Sequence, residues 1–469
     1  MNKDRVMQLK LDTAPWQSAT KAVDGDGRHQ AVGYWHETVQ VAPGAPLSDK
    51  IQCDVAIVGG GFTGLSTAYH LKRQKPDLDV ALIEAGVVGH GASGRNGGFV
   101  MPLLGWDLLY AVDKLGDKTA RAAYRVMYDA VAHVKRMALE HNLDCDLEAT
   151  GYLLLNTCGA REKRARREYG AAHRLGFDHQ WLERDALAAY IRSDRFSSGV
   201  FDPHPCVINP AKLSRAMKQL VESLGVKVYE QTPLRALKDE KPALLHAGEG
   251  EIRAHQVMLA VNGYGEALGF MKSRVMPVHT FIVLTEPLTV KQLDSVGWSE
   301  KRASLESARN FIHYFRLTAD NRILFGGEDA KLYFQGRYFD RDESVFEALK
   351  SRFREYFPLL KDVAFTHEWG GVLGVSLDMF PSFGATGKYG NLFYAGGYSG
   401  HGVALSNYAG ALLAPMMLRA AGETHIPEFP DAPFFVGHRP AWLGFEPLRY
   451  MGVQAYRGLL HIQDIIEGA

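Results

Sequence analysis

The hydrophobic pattern of the chain is clearest at residues 54–58, a short run that is apolar after its first residue. A glycine-rich turn follows, then apolar positions at helical spacing over residues 65–73, and then a second apolar run at residues 80–83. Short continuous apolar runs are typical of parallel strands that are covered on both faces. The pattern therefore predicts a strand–helix–strand unit of about thirty residues.

Further along, helical and strand periodicity alternate. Helices are predicted at 106–141, 161–175 and 211–224, and short strands at 226–229 and 256–261. Asn209 and Pro210 suit the cap and first turn of the third helix. Between residues 275 and 329 the pattern changes to alternation, which predicts antiparallel strands at 279–284, 310–317 and 322–326. Parallel units at both ends with an antiparallel sheet inserted predict two intertwined domains, α/β in class and α+β overall.

The turn after the first strand carries a GxGxxG motif formed by Gly59, Gly61 and Gly64. In such a motif the first glycine allows a tight turn, the second lets the backbone approach a pyrophosphate, and the third lets helix and strand pack closely. Glu84 lies at the end of the second predicted strand, where a carboxylate can bind ribose hydroxyls. A purely structural turn is the alternative. The flanking strand and helix favour a dinucleotide, and a glutamate without a neighbouring arginine argues against NADP.

Two later glycine clusters favour FAD over NAD as the dinucleotide. Residues 89–98 combine glycines with Ser93, Arg95 and Asn96, so the backbone can lie against a flat ligand while these side chains donate hydrogen bonds. Residues 392–402 again run from an apolar strand through glycines into a helix that starts near His401. The positive end of that helix would favour the negative charge of a reduced flavin. The alternative is that this cluster only turns the chain.

Composition narrows the classes of partner. The chain has 469 residues with 53 Lys plus Arg and 53 Asp plus Glu, so no global charge draws it to nucleic acid or an anionic membrane. The four cysteines show no metal-ligand spacing, and no metal site is predicted. No signal peptide is visible at the start of the chain and no apolar stretch is long enough to be a clear membrane span. We therefore expect a cytoplasmic enzyme with reduced thiols.

Together these segments resemble the D-amino-acid-oxidase-like family of FAD-dependent oxidoreductases, and most closely its gamma-glutamylputrescine oxidase group. The residues that carry the resemblance are Gly33-Tyr-Trp35, residues 58–66, residues 91–98, residues 257–263, Asp378-Met-Phe-Pro381 with Gly384, and residues 396–402. They span most of the chain. The set is specific for the family and much less specific for the substrate.

The resemblance implies a Rossmann-type FAD-binding domain with an inserted mixed or antiparallel-sheet substrate domain. The expected division is an arm at 1–50, a discontinuous FAD-binding domain at 51–140, 200–274 and 370–430, a substrate domain at 141–199 and 275–369, and a tail at 431–469. The expected FAD contacts are Gly59, Gly61, Phe62, Thr63, Gly64, Glu84, Ala85, Ser93, Gly94, Arg95, Asn96, Gly97, Gly98, Leu234, Asn262, Gly263, Gly371, Gly397, Ser399, Gly400, His401, Gly402 and Val403.

Three departures from relatives change the expectation. Sarcosine oxidases carry a lysine that binds the substrate carboxylate where this chain has Ala404. They also attach FAD to a cysteine before the Asp-x-x-Pro stretch, and residues 369–378 contain none here, so FAD should be bound non-covalently. The lysine that helps some relatives reduce oxygen has no clear counterpart in residues 323–327, which leaves oxidase and dehydrogenase both open.

The expected reaction is the oxidation of an amine or amino acid by hydride transfer to flavin N5, followed by hydrolysis of the imine. The partners are a small-molecule amine and oxygen or another electron acceptor. Candidate site residues are His401, His279, Trp369, Tyr398 and Tyr314. Packing alone would also explain His279, and Trp369 and Tyr398 are either core residues or walls of a cage for a cation.

Four alternatives stay open at this point. The substrate is a larger amine, such as an acylated diamine, or an amino acid such as a D-amino acid, glycine or sarcosine. Remoter alternatives are an NAD-dependent dehydrogenase and a non-catalytic flavin-binding protein. The amphipathic stretch at 442–466 predicts a packed helical tail, with membrane-surface or oligomer contact as the second interpretation.

Overall fold

The computed structural model describes residues 6–8, 33–157, 159–425 and 433–467. The strands of these residues are β1 (Val6–Gln8), β2 (Lys50–Val58), β3 (Val80–Ile83), β4 (Phe99–Val100), β5 (Tyr152–Asn156), β6 (Gln180–Glu183), β7 (Ser198–Asp202), β8 (Cys206–Val207), β9 (Lys227–Tyr229), β10 (Leu234–Lys238), β11 (Ala243–Ala247), β12 (Gly250–Leu259), β13 (Val275–Thr285), β14 (Ser304–Ser307), β15 (His313–Leu317), β16 (Ile323–Lys331), β17 (Phe365–Ser376), β18 (Ser382–Thr386) and β19 (Leu392–Gly396). The helices are α1 (Tyr34–Glu37), α2 (Phe62–Gln74), α3 (Ala92–Arg95), α4 (Leu108–Glu140), α5 (Gly159–Arg174), α6 (Arg184–Leu187), α7 (Pro210–Ser223), α8 (Val290–Ser295), α9 (Glu343–Tyr356), α10 (Gly402–Ala420) and α11 (Leu448–Glu467).

The first sheet is built on the predicted strand–helix–strand unit, with the order β1-β10-β11-β12-β2-β3-β9. β12 pairs along its whole length with β2, while its first half also pairs with β11 and its second half with β19. β2, β3, β9, β12 and β19 run parallel, and β1, β10, β11 and β18 add antiparallel edges. β3, nearly all of β19 and the second halves of β2 and β12 are buried on both faces, as their continuous apolar runs predict, whereas the edge strand β9 is partly exposed.

Helices α2 and α10 cross closely over this sheet. The crossing depends on Gly410, where an added Cβ would lie 2.1 Å from the carbonyl oxygen of Ser66. The hydroxyl of Ser66 in turn donates to the carbonyl of Asn407. This contact brings the N-terminal ends of α2 and α10, which are more than three hundred residues apart, to one side of the sheet.

The second sheet has the order β17-β13-β16-β15-β14-β5-β7-β6. Its neighbours are antiparallel except β14 and β5, which run parallel. One face packs on α9 through a core of fully buried aromatic side chains that includes Phe281, Phe315, Phe325, Phe346 and Phe353. The predicted α/β class, with a mixed or antiparallel sheet inserted into a Rossmann-type domain, is confirmed.

Some elements differ from the sequence expectation. The hairpin of β10 and β11 and the long strand β17 were not predicted, because glycines and charged residues interrupt their alternation. β7 and β17 cross the expected limits at 199/200 and 369/370, so Gly371 lies in the second sheet. The predicted helix at 106–141 is interrupted at Gly116, whose φ is +76°. Residues 9–32 of the expected arm and Cys158 lie outside the described residues.

Within the described residues, no helix is long and apolar enough to cross a membrane. The same residues contain no group of three or more His, Cys, Asp or Glu side chains that could hold a metal ion.

Candidate functional site

The turn between β2 and α2 has the shape that its glycines predict. Gly59 has a φ of +109°, and a Cβ on Gly64 would lie 2.0 Å from the carbonyl oxygen of Gly59. A Cβ on Gly61 would lie 2.8 Å from Oγ of Ser93, which accepts a hydrogen bond from the Phe62 amide. Gly61, the N-cap residue of α2, provides no side-chain cap, and Ser93 engages the amide of Phe62. The amides that follow in the first turn and the helix dipole therefore suit phosphate groups.

Glu84 lies directly against this turn. Its Oε2 accepts from the amide of Gly60 at 2.8 Å, and its Oε1 accepts from the amide of Gly86 at 2.9 Å. Burial raises the pKa of the carboxyl above its usual range, and the two backbone donors oppose that rise. The amide of Thr232 donates to the carbonyl oxygen of Glu84, which brings the segment before Leu234 to the same place. Glu84, the predicted ribose-binding acid, is therefore held at the turn between β2 and α2.

The second glycine cluster forms a loop closed by its own side chains. Oδ1 of Asn96 accepts from the amide of Gly98 at 2.8 Å, and its Nδ2 donates to the carbonyl of Ala92 at 3.0 Å. A Cβ on Gly94 would lie 2.0 Å from the carbonyl oxygen of Gly89. The loop is thus pre-shaped before any ligand binds.

Arg95 and Trp369 join this loop to the second sheet. The guanidinium of Arg95 is buried, donates to the carbonyl of His90 at 2.8 Å, and pairs with Asp340. Nε1 of Trp369 donates to the carbonyl of Arg95 at 2.8 Å. The indole ring also lies on Gly33, where an added Cβ would meet it at 2.7 Å. Trp369 therefore holds the two domains together at the loop.

The third glycine cluster meets the first. Tyr398 and Thr63 hydrogen-bond through their hydroxyls at 2.7 Å, and Oδ1 of Asn262 accepts from the amide of Gly397 at 3.1 Å. Gly397, Ser399 and Gly400 all have positive φ values, of 71°, 50° and 93°. No side chain caps α10. A second free helix N-terminus is therefore placed beside the first turn.

The two candidate histidines have different surroundings. Burial lowers the pKa of His401 to about 4, so its ring is neutral at pH 7, and among the described residues its buried Nδ1 has no hydrogen-bond partner. Burial also lowers the pKa of His279 to about 4. Nε2 of His279 accepts from the amide of Phe339 at 3.1 Å, and its Nδ1 lies 3.3 Å from the carbonyl of Lys331. His279 is fully engaged inside the second sheet, whereas His401 keeps a nitrogen available in the third turn.

The candidate aromatic residues do not form one cage. Tyr398 packs in the core of the first sheet, whereas Trp369 and Tyr314 belong to the cluster between the second sheet and α1. Tyr314 lies over the second loop, where a Cβ added to Gly97 would come close to its ring. The ring is edge-on to that of Phe99, with 5.6 Å between the two ring centroids. Burial raises the pKa of both tyrosines, so both are neutral hydroxyls at any physiological pH.

Sequence reasoning missed Glu306, which pairs across β14 and β15 with Tyr314. A single acidic residue in a short strand gives no signal of burial, because the residue opposite it cannot be read from the sequence. The three glycine clusters, in contrast, converge as expected. Two helix starts whose N-cap residues make no side-chain cap bond, a pre-shaped loop, Glu84 and the Nδ1 of His401, which has no partner among the described residues, fit an elongated dinucleotide such as FAD.

A family model described as FAD dependent oxidoreductase (DAO) matches residues 54–416. The chain belongs to this family. It is 30% identical over 396 residues to gamma-glutamylputrescine oxidoreductase of Escherichia coli (strain K12), covering 83% of this chain and 89% of that protein. It is 31% identical over 418 residues to the probable oxidoreductase OrdL of Rhizobium meliloti (strain 1021), covering 86% and 93%. The solved structure of glycine oxidase from Geobacillus kaustophilus is similar in fold, with a TM-score of 0.68, 21% identity, and coverage of 81% and 98%.

This DAO-family protein is an enzyme, an FAD-dependent oxidoreductase, and the FAD prediction is confirmed. The FAD contacts expected from the sequence, in the three turns and at Glu84, stay a prediction for this chain, and internal hydrogen bonds fix the shape of these turns.

Proposed function

We propose that the enzyme oxidises the C–N bond of a larger primary or secondary amine, such as an acylated diamine, to an imine that water hydrolyses. When bound, FAD supplies the hydride acceptor for this chemistry. The similarity to gamma-glutamylputrescine oxidoreductase supports an amine of this size. The protein groups of the site bind and orient the substrate, and the neutral His401 offers a ring nitrogen for a hydrogen bond without adding charge.

The observation that carries this proposal is that the charged groups which would select a small α-amino acid are missing or already engaged. Ala404, where sarcosine oxidases have a carboxylate-binding lysine, is completely buried in the first turn of α10. Arg95 donates to His90 and pairs with Asp340. Arg316 is also buried, and it donates to the carbonyls of Leu317 at 3.0 Å and Ile208 at 2.7 Å. Neither arginine has its guanidinium directed to a ligand carboxylate.

A carboxylate that finds no charge-assisted donor loses roughly 1.5–3 kcal/mol of binding free energy. We therefore expect small α-amino acids to be disfavoured by about one to two orders of magnitude in affinity relative to a site that has the lysine. An uncharged or acylated amine loses nothing at this position.

The test is anaerobic reduction of the holoenzyme in a stopped-flow instrument, with N-acylated diamines compared with glycine, sarcosine and D-alanine. We expect the acylated diamines to give the higher kcat/KM. Faster reduction by sarcosine or a simple α-amino acid would contradict the proposal. Replacement of air by an artificial acceptor, with H2O2 measured in both conditions, then separates an oxidase from a dehydrogenase.

Ala404→Lys and Ala404→Met form a matched pair for the same question. The two side chains have similar length, and only lysine adds a charge. We expect Ala404→Lys alone to raise the reactivity toward sarcosine relative to the acylated diamine. An equal effect of both variants would mean that the size of residue 404, and not its charge, sets the preference.

A further inference from the structure

Glu306 is a buried acid on the face of the second sheet that covers the FAD loops. The side chains of two residues that lie directly opposite each other on neighbouring strands point to the same face of the sheet. Glu306 lies opposite Tyr314, and the same row continues through Gly326 and Ile282 to Trp369. Trp369 donates to Arg95, and Tyr314 lies over Gly97. The Glu306 side chain is therefore on the face of the sheet that meets the second loop.

No described Lys, Arg or His side chain forms an ion pair with Glu306, although the residue is only 8% exposed. Tyr152 hydrogen-bonds to its carboxyl. An ionised buried carboxyl without a cation is costly, so this carboxyl is neutral in the free protein, and a positively charged ligand is the partner that would stabilise its ionised form.

A cavity lies beside the neighbouring strand β5, where Leu154, directly opposite Glu306, is one of its lining residues. It extends between α4, α5 and β5, and residues that line it include Met101, Leu103, Tyr128, Tyr152 and Glu168. Met101 and Leu103 directly follow the second FAD loop, so the cavity starts beside the flavin site. Asp202, which also lines it, is already paired with His179 and His204. Tyrosine faces and alkyl groups suit an aliphatic chain that carries an ammonium group.

We propose that Glu306 receives a positively charged nitrogen of the substrate, and that the attached chain occupies the tyrosine-lined cavity. This inference rests on the proposed amine-oxidising function and names the substrate class as larger amines that carry a second, cationic nitrogen, either on the chain itself or on the acyl group of an acylated diamine. Burial raises the pKa of Glu306 to about 8 and that of Glu168 to about 7. Binding of one ammonium ion to the protonated Glu306 therefore releases one proton to solvent below pH 8.

The test compares 1,4-diaminobutane with 4-aminobutan-1-ol, which differ only in the distal group. Dissociation constants are measured with anaerobic holoenzyme from the change in flavin absorption and from the ligand-induced shift in Tm. Because a charge-assisted hydrogen bond contributes roughly 1.5–3 kcal/mol, we expect wild type to prefer the diamine by about 10- to 100-fold. Glu306→Gln, which still accepts from Tyr152, should remove that preference, and Glu183→Gln on β6 should retain it.

A preference that survives in Glu306→Gln, or an equal loss of both ligands, would overturn the inference, as would the absence of a preference in wild type. These readouts measure binding and do not require turnover. If the diamine binds through Glu306 but no amine reduces the flavin, the proposed function fails while the cation site stands.

A second, independent observation concerns α11 and the residues before it. Its outward face is apolar. The side chains that are between 53% and 78% exposed are Trp442, Phe445, Leu448, Met451, Tyr456, Leu459, Ile462, Ile465 and Ile466. Its charged residues point inward instead. Arg449 pairs with Glu266 at 2.5 Å, and Asp464 pairs with Arg161 at 2.6 Å. The helix is held by its polar side chains and presents its hydrophobic side to solvent.

We infer that this face binds the same face of a second copy of the chain. The nine side chains expose on the order of 1,000 Å², above the roughly 300–600 Å² of the largest apolar patch on a typical monomer. Each partner of a standard interface contributes about 800 Å². A membrane-surface helix carries free Lys or Arg on its polar side. Here Arg449 and Arg457 are engaged by Glu266 and Asp329, which favours a protein partner.

Sedimentation equilibrium of the holoenzyme at micromolar concentration tests this interface. We expect a dimer for wild type and for Val290→Glu, which alters an exposed valine outside α11, and a monomer for Leu459→Glu with its flavin absorption intact. A wild-type monomer would overturn the inference. So would a monomer that sediments with vesicles of phosphatidylglycerol and phosphatidylcholine, because it would identify a membrane as the partner.

Discussion

At the scale of single residues, Glu84 shows what the sequence makes predictable. Its spacing from the glycine motif indicates a ribose-binding acid, and the structure holds its carboxyl with the amides of Gly60 and Gly86. Spacing along one strand–helix–strand unit is a local property, so it can be read from the sequence. Glu306 has no such signal, because its environment is made by Tyr152 and Tyr314, which lie on other strands.

Glu84→Arg should yield a protein that purifies largely without FAD. The substitution removes an acceptor for two backbone amides and places a cation at the positive end of α2. The measurement is the ratio of flavin to protein absorbance after purification. Glu84→Gln, which keeps an oxygen acceptor, is the control and should retain most of the flavin. Full flavin content in Glu84→Arg would show that this carboxyl does not contribute to FAD binding.

Glu306→Gln should make stability less dependent on pH. Because burial raises the pKa of Glu306 to about 8, the folded state binds more protons than the unfolded state between about pH 4.5 and 8. Stability from this group is therefore complete below pH 4.5 and is lost as the pH rises through 8. We expect the variant to gain on the order of 1–3 °C in Tm relative to wild type between pH 5 and pH 8. Parallel profiles of Tm against pH for the two proteins would contradict the prediction that Glu306 is an unpaired buried carboxyl.

At the scale of elements, the crossing of α2 and α10 shows what the sequence pattern cannot predict. α2 was expected from its helical spacing, and α10 from the glycine-rich turn before it. The point at which they touch, Gly410 on Ser66, depends on the packing of segments that are far apart in the chain. The same limit applies to β17, whose role beside the second loop follows from its pairing with β13 and not from its own alternation.

Gly410→Ala should destabilise the protein even though alanine favours helices by roughly 1 kcal/mol over glycine. The new Cβ would lie 2.1 Å from the carbonyl oxygen of Ser66, so α10 must move away from α2. Gly170→Ala in α5 is the matched control, since an added Cβ there meets nothing within 4 Å. We expect a lower Tm and reduced flavin content for Gly410→Ala, and an equal or higher Tm for Gly170→Ala. Equal behaviour of the two variants would mean that the crossing adjusts without cost.

At the scale of the whole molecule, the change from helical and parallel patterns to alternation after residue 275 was enough to predict two intertwined domains. The limits drawn between the two domains stay a prediction, and two of them fall inside the strands β7 and β17. The convergence of the three glycine clusters followed from the family resemblance. The outward apolar face of α11 could not be predicted in this way, since an amphipathic pattern does not tell which side of the helix packs against the rest of the protein.

The last prediction is that FAD is bound without a covalent link. Attachment through cysteine requires a thiolate at the flavin, and residues 369–378, the segment where relatives carry that cysteine, contain none. Burial raises the pKa of Cys145 to about 11 and those of Cys53 and Cys206 to about 12, so all three stay protonated and unreactive. Acid precipitation should leave the yellow colour in the supernatant, with the mass of the chain unchanged. A yellow pellet would contradict the prediction. Cys158→Ser would then test the remaining cysteine, which lies outside the described residues.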